Sequence, residues 1–284
     1  MRLKTNYHTH TALCGHAAGM TADYVREAIA KGFTELGMSD HGPIPRDFMT
    51  TKEYSDNWLQ RQMDVHLFEH VYLPDIERAR HEYGHLISIR SGLEIEYVPG
   101  HDDYYGWLLT KVEYLSLGIH YFPSVGGLFN VYDRMTKERL PEYAALAERA
   151  FATGFFTIVT HPDLFLMTYA DDDGVLIFDE TAERVSRRIV EAAIRHGVKL
   201  EINGGGPRRG RHRSQDGMDW LYPRTAFWRI VEEYPEAQVV IGCDTHNPPE
   251  LYDSVIDETV AFAERFKLNV LPYLDLAAER KRVR

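Results

Sequence analysis

The sequence predicts an α/β barrel, and three observations carry that expectation. Short apolar runs alternate about seven times with amphipathic helical stretches, the pattern of repeated strand–helix units. The length, 284 residues, suits one such barrel better than two average domains. Histidines and carboxylates fall at or near the ends of six predicted strands, the rim where barrel enzymes gather their functional side chains.

The elements follow in order. Arg2 to His8 reads as the first strand. Thr21 is placed as the cap of a helix carrying Tyr24, Val25, Ala28 and Ile29, which stops at Gly32. Thr34 to Ser39 is a second strand. A long helical region runs from about Asp56 to Tyr83 and breaks near Pro74, because proline cannot donate the helical hydrogen bond. Strands follow within Leu86–Tyr97 and at Tyr114–His120. A helix at Pro141–Thr153 leads to strand Thr157–Thr160. Helix Glu180–His196 leads to strand Lys199–Ile202, and helix Thr225–Tyr234 to strand Gln238–Gly242. The last helix is Ser254–Phe266, with a terminal strand at Asn269–Pro272. The Gly/Arg-rich stretch Gly204–Gly217 reads as a surface loop within one domain spanning 1–284. Periodicity alone leaves a doubly wound sheet as the rival architecture.

Composition narrows the partners. Net charge is −11, so a nucleic acid backbone is a poor partner and none is expected. A small phosphorylated substrate is compatible, because bound cations reverse the local field. No apolar run approaches the ~20 residues of a membrane span, the first residues lack an apolar signal core, and a cytoplasmic location is expected. Oligomeric state is not legible. The two cysteines, Cys14 and Cys243, make no disulfide framework and read as small packing residues beside candidate ligands.

The candidate ligands are His8 and His10, whose i, i+2 spacing puts both on one face of a strand, then His16, His41 next to Asp40, Glu94, His120, His161, Asp244 and His246. Imidazole and carboxylate suit zinc, iron or manganese. The set exceeds the needs of one ion, so two or three divalent ions are expected, with a carboxylate bridging. Clustered cations suit phosphoryl transfer. The pairs His66/His70 and His81/His85 read as solvated helix faces. His101, in a Pro-Gly-His-Asp-Asp segment, is kept as a substrate contact. There is no phosphate-cradling Gly-x-x-x-x-Gly-Lys loop and no Cys-x5-Arg phosphatase loop, and Gly204–Gly206 lacks the helix start of a dinucleotide site.

His8-Thr9-His10, Asp40-His41, Glu94, Gly118-Ile119-His120, Thr160-His161-Pro162-Asp163 and Asp244-Thr245-His246 together resemble the polymerase and histidinol phosphatase (PHP) family across nearly the whole chain. Leu13-Cys14-Gly15-His16-Ala17, Asp40-His41-Gly42-Pro43 and the Asn203…Arg208-Arg209 loop are similar to its stand-alone histidinol-phosphate phosphatases. The resemblance implies a distorted (β/α)7 TIM-like barrel and a trinuclear centre. One ion takes His8, His10, Glu94 and Asp244. A second shares Glu94 and takes His120 and His161. A third takes His16, His41 and His246. It also implies hydrolysis of L-histidinol phosphate by a metal-bridging hydroxide. Asp163 is either the acid that protonates the leaving group or a cap and positioning residue. Arg208 and Arg209 are either phosphate contacts or part of a solvated basic loop. Where the family often carries a basic residue, this chain reads Leu164-Phe165-Leu166-Met167, so the alternative of another small phosphate ester, such as a nucleotide or sugar phosphate, stays open. A non-catalytic barrel that binds a partner protein is the remaining reading.

Overall fold

The computed structural model describes residues 2–56 and 58–282. Eight parallel strands form its main sheet: β1 Thr5–Asn6, β2 Glu35–Met38, β3 Ser88–Ile95, β4 Tyr114–Leu117, β5 Phe156–Val159, β6 Lys199–Asn203, β7 Gln238–Gly242 and β8 Asn269–Val270. Their spatial order is their chain order. A doubly wound sheet reverses its order at a switch point, and this one does not, so the rival architecture is excluded. Thr9 and Thr245, just past β1 and β7, form a parallel bridge in which the His10 N–H donates to the Thr245 carbonyl at 3.1 Å. That bridge draws the sheet into a TIM-like α/β barrel at its carboxyl rim. No ladder joins β1 to β8 among the described residues, which is the distortion from a regular barrel. The first and last strands are two residues each.

Strands β4 and β5 are buried on both faces, as parallel strands covered by helices must be. Inside the barrel, Tyr7, Tyr114, Ile158 and Val240 pack together as a plug. The Tyr114 ring occupies space that only glycine can leave, since a Cβ at Gly37 or Gly92 would come within 2.2 or 2.3 Å of it. Two residues further along each strand the interior turns polar: Glu94 follows Gly92 and Thr160 follows Ile158. The larger core lies between the sheet and the outer helices.

The helices of eight residues or more are α1 Thr21–Lys31, α2 Leu73–Tyr83, α3 Asp102–Lys111, α4 Leu140–Ala152, α5 Glu180–His196, α6 Thr225–Glu232 and α7 Ser254–Ala263. Met20 holds the cap position of α1, its N–H donating to Asp23 at 2.8 Å; Thr21 is the first helical residue. Asp179 caps α5 through the N–H groups of Thr181 and Ala182. The long helix expected from Asp56 is shorter. Residue 57 lies outside the described residues, a 3-10 turn covers Trp58–Arg61, and a continuous helical path starts only after Asp64. Phe68–Tyr72 is a π-helical turn immediately before Pro74. Proline lacks the N–H that would continue the ladder, so the local widening has a direct cause. Helix α3 was not expected. Nor were two β-hairpins, Tyr121–Ser124 with Gly127–Asn130, and Arg211–Ser214 with Gly217–Trp220. The second hairpin takes up the latter half of the loop expected at Gly204–Gly217. No described helix is long and apolar enough to cross a membrane.

Candidate metal centre

The nine side chains proposed as ligands come together at the carboxyl rim. His8 and His10 extend from β1, and their Nε2 atoms lie 3.0 Å apart. Glu94 sits between groups: Oε2 is 3.3 Å from His8 Nε2 and 3.3 Å from His41 Nδ1, and Oε1 is 2.9 Å from His161 Nε2. His120 Nε2 is 3.8 Å from Glu94 Oε1. Asp244 Oδ1 is 3.2 Å from His10 Nε2 and 3.5 Å from His8 Nε2. His16 and His246 face each other at 3.0 Å through Nε2. Four groupings have mutually close donor atoms: His8–His10–Glu94, Glu94–His120–His161, His16–His41–His246, and His10–Cys14–His246, which brings in a thiol the sequence read as packing. Two nitrogens on one tetrahedral ion with bonds of ~2.0–2.1 Å stand roughly 3.3 Å apart, so these separations fit a shared cation. Imidazole nitrogens facing each other at 3.0 Å cannot both keep lone pairs aimed at nothing. The donor set fits divalent metal.

Four of the seven imidazoles have the opposite ring nitrogen held as a metal-bound imidazole requires, while Nδ1 of His10 and of His161 makes no hydrogen bond. His8 Nδ1 contacts Glu201 Oε1 at 2.8 Å, and Glu201 Oε2 also accepts from the His161 N–H at 3.1 Å and from Asn203 Nδ2 at 2.9 Å. Glu201 lies over Gly242, where a Cβ would meet its carboxylate at 1.8 Å. His120 Nδ1 contacts Glu96 Oε1 at 2.6 Å. His16 and His246 use main-chain carbonyls, of Cys14 and Asp244. Thr160 Oγ1 donates to Glu94 Oε1 at 2.7 Å. Asp40 stands behind the site: it accepts from the Thr11 N–H and hydroxyl and from the His41 N–H. Sequence reading did not single out Glu96 or Glu201. Glu94 and Glu96 share one strand face, as do Glu201 and Asn203, and that spacing was the available signal.

Among the described residues, the non-glycine residues with positive φ are His161 (32°) and Asp244 (46°). Both are proposed ligands. Left-handed backbone costs of order 1–3 kcal/mol per residue and persists where the surroundings impose it.

Electrostatics point the same way. Burial alone would raise the carboxyls of Glu94 and Asp244, yet both are held well below the usual carboxylate range. For Glu94 the opposing causes are the charges of His8 and His120 and a hydrogen bond from His161. For Asp244 they are His8, His10 and His246. Burial opposes charge on His8 and His10, but carboxylates around them raise both. His246 falls to about 4, chiefly through burial and the neighbouring His10. The pocket thus holds two committed anions among imidazoles that compete for positive charge, a setting in which protons and metal ions exclude one another.

The cavity above this floor has two lobes. The inner lobe, about 270 Å³, is walled by eight of the nine proposed ligands, all but His8, with Tyr132, Arg209 and Tyr222. The outer lobe, about 340 Å³, adds Gln62, Tyr121 and Asn130 and shares Arg209 and Tyr132. Arg209 is aimed inward: Nε donates to the Tyr222 hydroxyl at 3.3 Å and the guanidinium lies 5.8 Å above the Tyr132 ring.

Three expected site residues lie elsewhere. Arg208 turns the opposite way, pairing with both Asp253 oxygens at 2.8 and 3.2 Å and donating to the Glu250 carbonyl at 2.9 Å, because neighbours on a tight 3-10 turn diverge. His101 stacks flat on Phe48, centroids 3.6 Å apart, beside a shallow surface depression. Asp163 is fully buried, lines neither lobe and accepts the Arg224 N–H at 2.6 Å, while its side chain makes no cap hydrogen bond to the 3-10 turn that follows it. Leu164, Phe165 and Leu166 are fully buried as well, with Phe165 against Tyr143, so this apolar segment cannot touch a substrate. His66, His70, His81 and His85 are exposed, as expected of solvated faces. Cys243 is a core residue. Cys14 is buried beside His10 and His16, whose hydrogen bonds outweigh burial and lower its thiol.

Fold and site together define a metal-binding barrel with a cationic arm over a carboxylate–imidazole floor. The chain belongs to the PHP domain family, whose profile matches residues 6–205. It is 25% identical over 252 residues to the "probable histidinol-phosphatase" of Deinococcus radiodurans, covering 86% of each chain. It is 31% identical over 102 residues to the histidinol-phosphatase of Bacillus subtilis, covering 35% of this chain and 36% of that one. A solved Lactococcus lactis histidinol phosphate phosphatase, complexed with zinc, L-histidinol and phosphate, is similar with a TM-score of 0.65 at 18% identity, covering 94% of this chain and 95% of that one. A Listeria monocytogenes structure gives a TM-score of 0.70 at 17% identity, covering 89% and 99%.

Proposed function

We propose that this chain is a metal-dependent phosphomonoesterase that hydrolyses L-histidinol phosphate to L-histidinol and phosphate, a step of histidine biosynthesis. The observation that carries the reading is the convergence of nine donors beneath one inward-facing arginine. The names of the D. radiodurans and B. subtilis relatives and the ligands of the L. lactis structure supply the substrate. We assign three divalent ions, zinc, iron or manganese. One is held by His8, His10, Glu94 and Asp244, one by Glu94, His120 and His161, and one by His16, His41 and His246. Bound there, such ions supply Lewis acidity and a water ionised near neutral pH.

The chain's own residues do the rest. Glu94 presents one oxygen to each of two groupings and bridges them. Glu201 and Glu96 fix the imidazoles of His8 and His120 from behind, and Asp40 stands 3.5 Å from His10 Nδ1. Arg209 binds phosphate oxygens with its fork, and Tyr132 and Tyr222 keep it over the floor. The outer lobe takes the alcohol. Residues 1–284 act as one PHP barrel domain: β7 pairs with β6 and carries Asp244 and His246, which lie beyond the span of the family match, into the same floor.

One observation favours a second reading, a different small phosphate ester such as a nucleotide or sugar phosphate. Among the described residues, the outer lobe is lined by amide, hydroxyl, imidazole and guanidinium groups, with no carboxylate to meet the ammonium of histidinol. The deciding experiment is a panel of phosphate esters assayed after metal reconstitution. Histidinol phosphate should be turned over fastest. Another ester far ahead of it would move the substrate, and no turnover with any of the three metals would remove the enzyme.

A further inference from the structure

A second cleft, about 150 Å³, opens on the outside of the barrel between the 211–220 hairpin and the start of α6. It shares no wall residue with either lobe of the catalytic cavity. Its floor is Arg224, whose side chain is 2% exposed. Nε and Nη1 of this guanidinium make no hydrogen bond. Its nearest carboxylate, Asp219, approaches only to 3.5 Å. Asp219 is already committed to the start of α6, accepting from the N–H groups of Trp220 and Thr225 and from the Thr225 hydroxyl, each at 3.0 Å. Burying a cation with unmet donors is expensive unless an anion meets them. A surface loop usually leaves its arginines in water; this one has its guanidinium sealed into the wall of a cleft.

Two more arginines, Arg229 and Arg265, stand exposed at the cleft's edge. Arg265 is held over the rings of Phe262 and Phe266 at 5.1 and 5.6 Å. Against these three cations the cleft offers Asp216 and Asp219, leaving one net positive charge. Leu176, Phe178 and Met218 give the remaining wall an apolar face. The volume equals roughly five waters' share of liquid. We propose that this cleft is a binding site for a small monocarboxylate bearing an apolar body, separate from the metal centre. The carboxylate meets the Arg224 fork, Arg229 and Arg265 close over it, and the body lies on Leu176 and Phe178. A monoanion neutralises the cleft; a dianion would leave it overcharged among the two aspartates.

The test is calorimetric titration of the metal-loaded full chain with benzoate as probe and neutral benzamide as control. One benzoate should bind per chain, benzamide should not, and saturating inorganic phosphate should not displace it. Arg229→Ala and Arg265→Ala, both at exposed positions, should each weaken benzoate at least tenfold and leave phosphate-ester turnover unchanged. Arg224→Gln should abolish binding; if that variant does not fold, the two surface variants decide. Absence of benzoate binding, affinity unchanged in both surface variants, or displacement by phosphate overturns the site. Arginine-dependent binding of sulfate without benzoate overturns the ligand class.

Discussion

The two ends of the barrel are both lined with charge, and they are built on opposite principles. At the amino end, Glu35 and Glu113 meet Arg90 and Arg80 directly. Glu35 pairs with Arg90 Nε at 2.8 Å, Glu113 with Arg90 Nη1 at 3.1 Å and with Arg80. Lys199 pairs with Glu279. Every carboxylate there has a permanent cation from the chain. At the carboxyl rim Glu94 is fully buried and Asp244 is as buried as Glu35, yet their neighbours are imidazoles, which carry charge only conditionally. One end balances itself. The other leaves its balance to whatever cation arrives, with pH and metal in competition for the same nitrogens. A polar cluster that lacks its own fixed counter-charge marks the end where a guest belongs.

The largest expected effect breaks the rim outright. Asp244→Asn should lower kcat/KM more than roughly a thousandfold, beyond the loss of one oxyanion donor, while the thermal midpoint moves little. Near wild-type efficiency would show that the rim does not need that charge.

A pH experiment sharpens the contrast next. Burial, outweighing the Arg224 N–H and charge, raises the Asp163 carboxyl to about 7, far above its ordinary 3.8. A raised acid holds its proton in the folded state, so this residue's contribution to stability is full below pH ~4 and is lost as pH rises through ~7. Asp163→Asn should therefore flatten stability between those limits, read by chemical denaturation at pH 5 and pH 8. Parallel wild-type and variant curves would contradict it.

Glu201→Gln keeps the shape behind His8 but removes the charge. Metal affinity, read by chelator competition, should fall 10–100-fold, with the fold intact. A purely structural Glu201 would shift the melting curve and leave metal affinity alone. The neighbours Arg209 and Arg208 should separate cleanly. Arg209→Ala should raise KM roughly tenfold or more, as expected for losing a charged hydrogen bond worth about 1.5–3 kcal/mol. Arg208→Ala should leave KM unchanged and reduce stability by no more than about 1 kcal/mol. Equal kinetic effects would mean the turn presents both. The smallest change is at the self-balanced end: Arg90→Ala should cost about 1 kcal/mol of stability and leave kcat/KM untouched.

Much of this was legible before any coordinates. Several strands announce themselves as apolar runs, Tyr114–Leu117, Phe156–Val159 and Gln238–Gly242 among them, and His120, His161 and Asp244 follow such runs, so closure of the barrel was enough to gather these candidate ligands. What stayed hidden has physical reasons. Helix α3 begins in Asp102-Asp103 and carries Gly106 in its middle, a residue that lowers helix propensity, so its pattern is faint. The first strand of the second hairpin, Arg211–Ser214, is polar on both faces and carries no period-2 hydrophobic signal. Arg208 and Arg209 have the same chemistry, and only the turn's geometry separates the one that pairs with Asp253, the cap of α7, from the one that faces the floor. Glu96 and Glu201 look like ordinary strand charges until the imidazoles of His120 and His8 are seen against them. Asp163 was recognisable as special, but its role depended on Arg224, sixty-one positions later.

The bridge between Thr9 and Thr245 fastens the start of the chain to a segment more than two hundred positions away, and the ligands on either side of it are useless apart. A nascent polypeptide still missing Asp244 and His246 owns only a fragment of the coordination sphere. Under the proposed ligand assignment, tight loading waits until synthesis has passed β7 and the seam has shut, so that possession of metal would certify a finished barrel.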